Sequence, residues 1–402
     1  MVFISLLFIK ERKLFLVNVI SVLLLFISLL VWKHFVTTYQ NEVVQSEIKI
    51  ISKSQNYYLI EYSNKRYVLF RNSYDFDVGD KILSTFSINN FNNESKNFWY
   101  SKFVFGFIKL KNYSKIEFDL SWIERFFNLN FFNRESYKNM TLPLLFGKYD
   151  SDSNILDISR SLGIVHLIVI SGFHFNIIFT IFKKIFVRLK FNFDVYLPLL
   201  ILSIYFIFVN FSVSTLRAYI YIVLVNFINL VKIREKDKFY FVNQKLFVVF
   251  ITLLISLIIN PFFIFTISFW YSYLITIVIL VFRRIEKTKK KIFLNKISIF
   301  FYCYCFSLLI SLTNQNNFNI LSILNIFIFS FVIEFSIILN LIFWFIPDIV
   351  DFYYLFFKLI FNFFNIVNVT LTTDFHLNLN LVLCLIFTIL ISKLVINNLN
   401  IT

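Results

Sequence analysis

The chain has 402 residues, of which 58% are hydrophobic and only 15% charged, and its mean hydropathy is +0.75. A soluble fold does not bury so large an apolar share, so lipid is the expected solvent for much of the chain. The net charge of +16 fits either the cytoplasmic loops of a membrane protein or a polyanion binder, and its position along the chain must decide.

In chain order, Leu14–Trp32 is an apolar run of bilayer-spanning length, led by Lys10, Arg12 and Lys13, which place its start in the cytoplasm. No small-residue cleavage site follows Trp32, so the run reads as an anchor and not a signal peptide. Residues 35–120 change character. Polar and apolar positions alternate around Ile48–Ile51, Tyr57–Tyr62 and Arg66–Phe70, with a turn at Val78-Gly79-Asp80. A period of two predicts a small β-barrel or sandwich outside the membrane.

From Phe126 the chain is apolar again. Candidate spans are Leu162–Phe182, Val195–Val213, Leu216–Val231, Leu246–Ile259, Phe262–Phe282, Ile297–Leu312, Ile320–Phe345 and Leu377–Ile396. With the anchor, this predicts a polytopic α-helical membrane protein of about eight or nine spans. Phe126–Phe132 and Asp351–Val369 are aromatic and amphipathic, and are expected at the membrane surface. The connections 183–190, 232–245 and 283–296 are rich in Lys and Arg, while those at Ser212–Thr215, Asn260-Pro261 and Thr313–Asn317 are bare. This alternation follows the positive-inside rule, explains most of the charge without nucleic acid, and puts the β domain outside. Expected domains are an anchor over 1–34, an extracytoplasmic β domain over 35–125 and a transmembrane domain over 126–402. Cys303, Cys305 and Cys384 all fall in apolar runs and read as buried hydrophobes.

The most informative stretch is Gly163 to His174, which holds two of the five glycines and two of the four histidines inside an apolar run. One alanine, Ala218, against 58 phenylalanines suggests an AT-rich genome, in which a surviving glycine is seldom filler. His166 and His174 read either as core histidines bonded to carbonyls or as groups that line or shape a polar path. Ser171-Gly172 between them would interrupt the helix and free backbone groups. Arg217 heads a span and is either a snorkelling side chain or a phosphate contact. Arg160 has the same two readings, and Glu334 is read as a partner for a polar group on another helix. Asn260-Pro261 is a hairpin, and Asn325 is interhelical glue or lining. No set of residues has metal-ligand spacing, and Ser171 has no orienting carboxylate, so no metal, cofactor or catalytic site is expected.

The segment Leu162-Gly163-Ile164-Val165-His166-Leu167-Ile168-Val169-Ile170-Ser171-Gly172-Phe173-His174 resembles the "G-x-x-H-L-L-A-I-S-G-L-H-V" segment of the ComEC family of DNA-uptake membrane channels. Leu144–Gly147, Ser214-Thr215-Leu216-Arg217-Ala218, Asn260-Pro261, Ile267–Leu274 with Ser272, and Ser322–Asn325 are similar to later motifs of that family, in order. Phe76–Asp80, and Asn97-Phe98 with Phe105-Gly106, resemble its OB-like domain. Asn176, Ser268, Trp270 and Ser330 depart from the pattern. The metal-binding, β-lactamase-like domain of many relatives has no counterpart motif in this sequence.

The resemblance implies an OB-like extracytoplasmic domain on a channel for single-stranded transforming DNA in the bacterial cytoplasmic membrane. Gly163, His166, Ser171, Gly172, His174, Arg217 and Asn325 would line or shape the channel, with Gly147, Asn260, Pro261 and Ser272 as structural motif residues. Tyr57, Tyr58, Tyr67, Phe70 and Arg71 would supply stacking and charge to a strand on the barrel. Expected partners are single-stranded DNA, membrane lipid, an extracellular DNA receptor, a cytoplasmic ATPase motor and a further copy of the chain. The alternatives are a small-solute or lipid transporter, which would show inverted repeats, and a degenerate protein that transports nothing.

Overall fold

Strict alternation builds the first part of the chain. In the computed structural model, β1 (Val43–Lys53), β2 (Tyr57–Tyr62), β3 (Lys65–Phe70), β4 (Asp80–Asn89) and β5 (Val104–Phe118) close a barrel in the order β1-β2-β3-β5-β4. β5 runs parallel to β3, and the other pairs are antiparallel. Along β4 burial alternates with nearly every residue, so Ile82, Phe86 and Ile88 meet Ile48, Tyr58 and Ile60 in the interior. Ser63 and Asn64, both at positive φ, make the tight β2–β3 hairpin. The small barrel expected from the period of two is therefore present.

The structure describes residues 23–32, 43–54, 56–71, 74–92, 95–149, 154–169, 172–189, 195–230, 238–286, 292–311, 313, 317–319, 321–368, 370–372, 378, 381–386 and 388–389. The chain divides into two compact units, Met1–Asn128 with Leu253–Thr266, and Leu129–Thr252 with Ile267–Thr402.

The first unit adds helices to the barrel. Helix α1 (Leu23–Trp32) carries Trp32, whose indole donates to the Ile259 carbonyl at 3.0 Å. Its ring packs 5.6–5.7 Å from Phe103, Phe105 and Phe262. Helix α2 (Lys96–Ser101) joins β4 to β5. It rests on Asn260, which is fully buried. The Asn260 amide donates to the carbonyls of Tyr100 and Ser101 at 2.9 and 3.3 Å, and its side-chain oxygen accepts from the Phe262 N–H at 2.9 Å. Pro261 then opens a 3-10 turn over Pro261–Phe265, where its missing N–H costs nothing. Helix α3 (Trp122–Phe127) begins with a Ser121/Glu124 capping box.

Among the described residues, the second unit is helical apart from a short β-ladder. A 3-10 turn (Asn130–Asn133) leads into a π-helix (Tyr137–Phe146). Pro143, which has no N–H to give, lies within that π-helix. Thr141 donates to the Asn340 side-chain oxygen at 2.6 Å, and Tyr137 to the Trp344 carbonyl at 2.6 Å. Next come α4 (Asn154–Ser161), α5 (Val165–Ile168), α6 (Gly172–Arg188), α7 (Tyr196–Phe208), α8 (Val213–Leu230), α9 (Lys238–Ile259), α10 (Ile267–Glu286) and α11 (Ile292–Ser311). β6 (Asn317–Asn319), α12 (Ser322–Phe343), α13 (Pro347–Ile366) and β7 (Thr370–Thr372) follow, with β6 paired to β7.

Among the described residues, three helical stretches are long and apolar enough to cross a membrane: Val165–Arg188, Ser322–Phe343 and Pro347–Ile366. Six shorter apolar helices accompany them. Two expectations change in form. The run 162–182 is not one continuous helix, because α5 ends at Ile168 and α6 begins at Gly172. The stretch 351–369, expected on the membrane surface, forms most of a 20-residue helix opened by Pro347. Val350, Tyr354, Phe357 and Phe361 are buried on one side of it, and Phe352, Phe356, Leu359 and Phe363 are exposed. Of the expected span 377–396, only 378, 381–386 and 388–389 are described.

Candidate functional site

The motif Leu162–His174 folds as a broken helix. After α4, Gly163 takes a left-handed φ of +74°. A Cβ there would also lie 2.7 Å from the Ser322 Cβ, so backbone and space both require glycine. The neighbouring Leu162 carbonyl accepts from the Asn325 amide at 3.1 Å. Asn325 is thus spent on holding this turn against α12, and Ser322 contacts the Tyr304 hydroxyl at 2.7 Å. α5 then lasts one turn, and Val169 leaves it in an extended conformation with ψ of 129°. Ser171 lies outside the described residues.

α6 starts on Gly172. A Cβ there would sit 3.1 Å from the Arg217 Nη2 and 3.7 Å from the Ala218 Cβ. Glycine is therefore where α8 approaches the start of α6. Arg217 reaches onward to α10, donating through Nη1 to the Ser272 carbonyl and the Thr276 hydroxyl. The Tyr273 ring lies 5.9 Å from the guanidinium carbon. The structure thus joins Gly172, Arg217 and Ser272 at one three-helix contact, and Gly163 and Asn325 at another. The histidines part company across the break. His166 is exposed on α5, whereas His174 is fully buried on α6. Gly147 caps the π-helix at φ +64° and its carbonyl accepts from the Asn210 amide at 3.3 Å. Asn260 and Pro261 belong to the joint beneath the barrel. Arg160 pairs with Asp157 at 2.6 Å on the exposed side of α4.

The barrel carries a second feature. Tyr58 and Tyr67, expected as stacking surface, are 0% and 3% exposed and fill the interior. Tyr57, half-buried, and Phe70, exposed, are paired across β2 and β3 at the open end of the hairpin. There they join a run of rings. Phe98 meets Trp99 at 5.2 Å, and Trp99 meets Tyr57 at 5.2 Å and Phe91 at 5.4 Å. Phe91 meets Phe107, and Phe107 meets Phe70, each at 6.0 Å. Lys102 lies 4.3 Å over Phe98 and Lys109 5.8 Å over Phe107. Phe98 is 51% and Phe70 43% exposed. Arg71 is exposed and lies within 3.8 Å of Asp75. The Asp75 carboxyl is held below its usual range chiefly by a hydrogen bond from Lys53. Sequence reasoning missed Phe91, Phe98, Trp99, Lys102, Phe107 and Lys109. The available signal was the Phe- and Trp-bearing connection between two strands, masked by 58 phenylalanines elsewhere.

No curated protein and no solved structure matches this chain significantly. The family model described as Competence protein matches residues 144–398, more than half of the 402 residues. That span begins at the end of the π-helix and includes the broken helix, Arg217, Ser272 and Asn325. The chain belongs to the Competence protein family.

Proposed function

We propose that the chain is a ComEC-type conduit that passes single-stranded DNA across the bacterial cytoplasmic membrane during natural competence. The observation that carries this reading is the end of α5 at Ile168, with Val169 extended, within an apolar stretch of a competence-family chain. Backbone freed from its helix inside a membrane is tolerated where protein buries it or where it lines a polar path. The five-stranded barrel has the strand number and closure of an OB-like domain, a fold that binds oligonucleotides. Its outer rings and lysines suit a strand of varied sequence, because every base has a face to stack. On this reading the chain catalyses nothing. A separate cytoplasmic ATPase supplies the energy, an extracellular receptor delivers the DNA, and further copies of the chain complete the assembly.

The test is labelled-DNA uptake in a strain deleted for this gene and complemented with wild type or Gly172→Leu. Wild type should restore internalised single strands. Gly172→Leu should leave DNA at the surface while the protein is inserted normally, because a branched side chain meets Arg217 and Ala218. Normal uptake in the deletion strain overturns the proposal.

A further inference from the structure

Arg217 has no carboxylate partner among the described residues. The ionisable side chains that face it are the phenols of Tyr221 and Tyr273. Its acceptors, the Ser272 carbonyl and the Thr276 hydroxyl, are neutral and use only Nη1. Its Nε is buried without a hydrogen-bond partner, and so is the Ser272 hydroxyl oxygen. An ionised side chain among apolar helices is costly unless paired, and buried polar atoms without partners are rare enough to need a cause. Gly172 adds no side chain beside Nη2. A guanidinium with a spare N–H and a hydroxyl beside it form the donor set that suits the oxygens of a phosphate.

We propose that Arg217 and Ser272 form a binding site for a phosphodiester group, Arg217 supplying the charge and Ser272 a hydroxyl donor. This rests on the proposed function, since the DNA backbone is the phosphodiester such a conduit would carry. A phospholipid headgroup offers the same chemistry and is the other source to be separated.

The test uses the full chain in nanodiscs of a phosphate-free galactolipid, with a labelled single-stranded oligonucleotide titrated across a salt series. Arg217→Gln should weaken binding and lower the slope of log affinity against log salt by about 0.7, the value of one phosphate contact on a single strand. Arg217→Lys should keep that slope, because charge sets it, and Ser272→Ala should weaken binding at an unchanged slope. A methylphosphonate oligonucleotide, which lacks the charge, should bind wild type and Arg217→Gln alike. In phospholipid nanodiscs, native mass spectrometry reads the other source. A phospholipid retained by wild type and lost in Arg217→Gln, with an unchanged oligonucleotide slope, supports the site with lipid as its occupant. An unchanged slope with no difference in retained lipid overturns the proposal and makes Arg217 a brace between α8 and α10. If Arg217→Gln does not fold, wild-type oligonucleotide affinity and wild-type phospholipid retention in Ser272→Ala overturn it instead. Either failure leaves the uptake result in the deletion strain, and so the proposed function, standing.

Discussion

At the scale of single residues, the two glycines of the motif do different work, and substitutions should separate them. Gly163 is held at φ +74° with the Ser322 Cβ 2.7 Å from where its own Cβ would be. Gly163→Ala therefore adds the left-handed penalty of about 1–2 kcal/mol to a clash with a side chain rooted one bond from the backbone. Gly172 has no such φ, and its nearest neighbour is the far end of the Arg217 side chain at 3.1 Å, which can shift. Cys303 and Cys305 are only half-buried and Cys384 is exposed, so unfolding in detergent is best followed by circular dichroism, and its midpoint should drop by several degrees for Gly163→Ala and little for Gly172→Ala. Equal melting temperatures would refute the assignment of Gly163 to a strained contact. The residue types were legible in the sequence, since glycine, serine and histidine stand out in an apolar run. Their division of labour was not. The left-handed φ and the approach of Ser322 and Arg217, 159 and 45 positions away in the chain, depend on tertiary packing that spacing does not encode.

At the scale of elements, strands were more legible than helices. A period of two survives in a phenylalanine-rich chain because the polar positions mark the outer face, and β4 shows it almost without exception. Helical spans are apolar all round, so composition marks a break only loosely, here through Ser171-Gly172. α5 ends at Ile168, three residues before the interruption expected at Ser171-Gly172, and the π-turns around Pro143 went unseen. The outer ring ladder was hidden differently, because α2 brings Phe98 and Trp99 over β2 only after the barrel has closed. The joint at Asn260 is the element-scale feature most open to test. One side chain caps the 3-10 turn and holds the end of α2 through two carbonyls. Asn260→Ala removes the cap and takes a donor from the Ser101 carbonyl, while the Tyr100 carbonyl keeps the Phe103 N–H, at a cost of about 2 kcal/mol in local stability. Hydrogen exchange should quicken in residues 96–103 and in 260–266 together, with the barrel strands β1 and β4 unchanged. Faster exchange in 260–266 alone would mean that Asn260 serves only its own turn.

At the scale of the whole molecule, charge and contact converge on one topology. The positive-inside pattern places Asn260-Pro261 among the bare connections and 283–296 among the basic ones. Independently, Asn260 is hydrogen-bonded to the connection between β4 and β5, so the barrel and the 260–265 turn are expected on the same side of a membrane. A single helix, α10, then leads from that turn towards the basic segment. Its apolar part, Ile267–Phe282, rises about 24 Å, so a crossing there would need the bilayer to thin locally. Single cysteines replace Ser114, which is exposed on β5, Phe265, which is 60% exposed, and Lys289, in a chain whose three native cysteines are changed to serine. An impermeant maleimide applied to intact spheroplasts should label the first two, and should reach the third only after permeabilisation. Labelling of position 289 from outside would invert the charge rule. Labelling of 114 without 265 would separate the barrel from the turn that Asn260 ties to it.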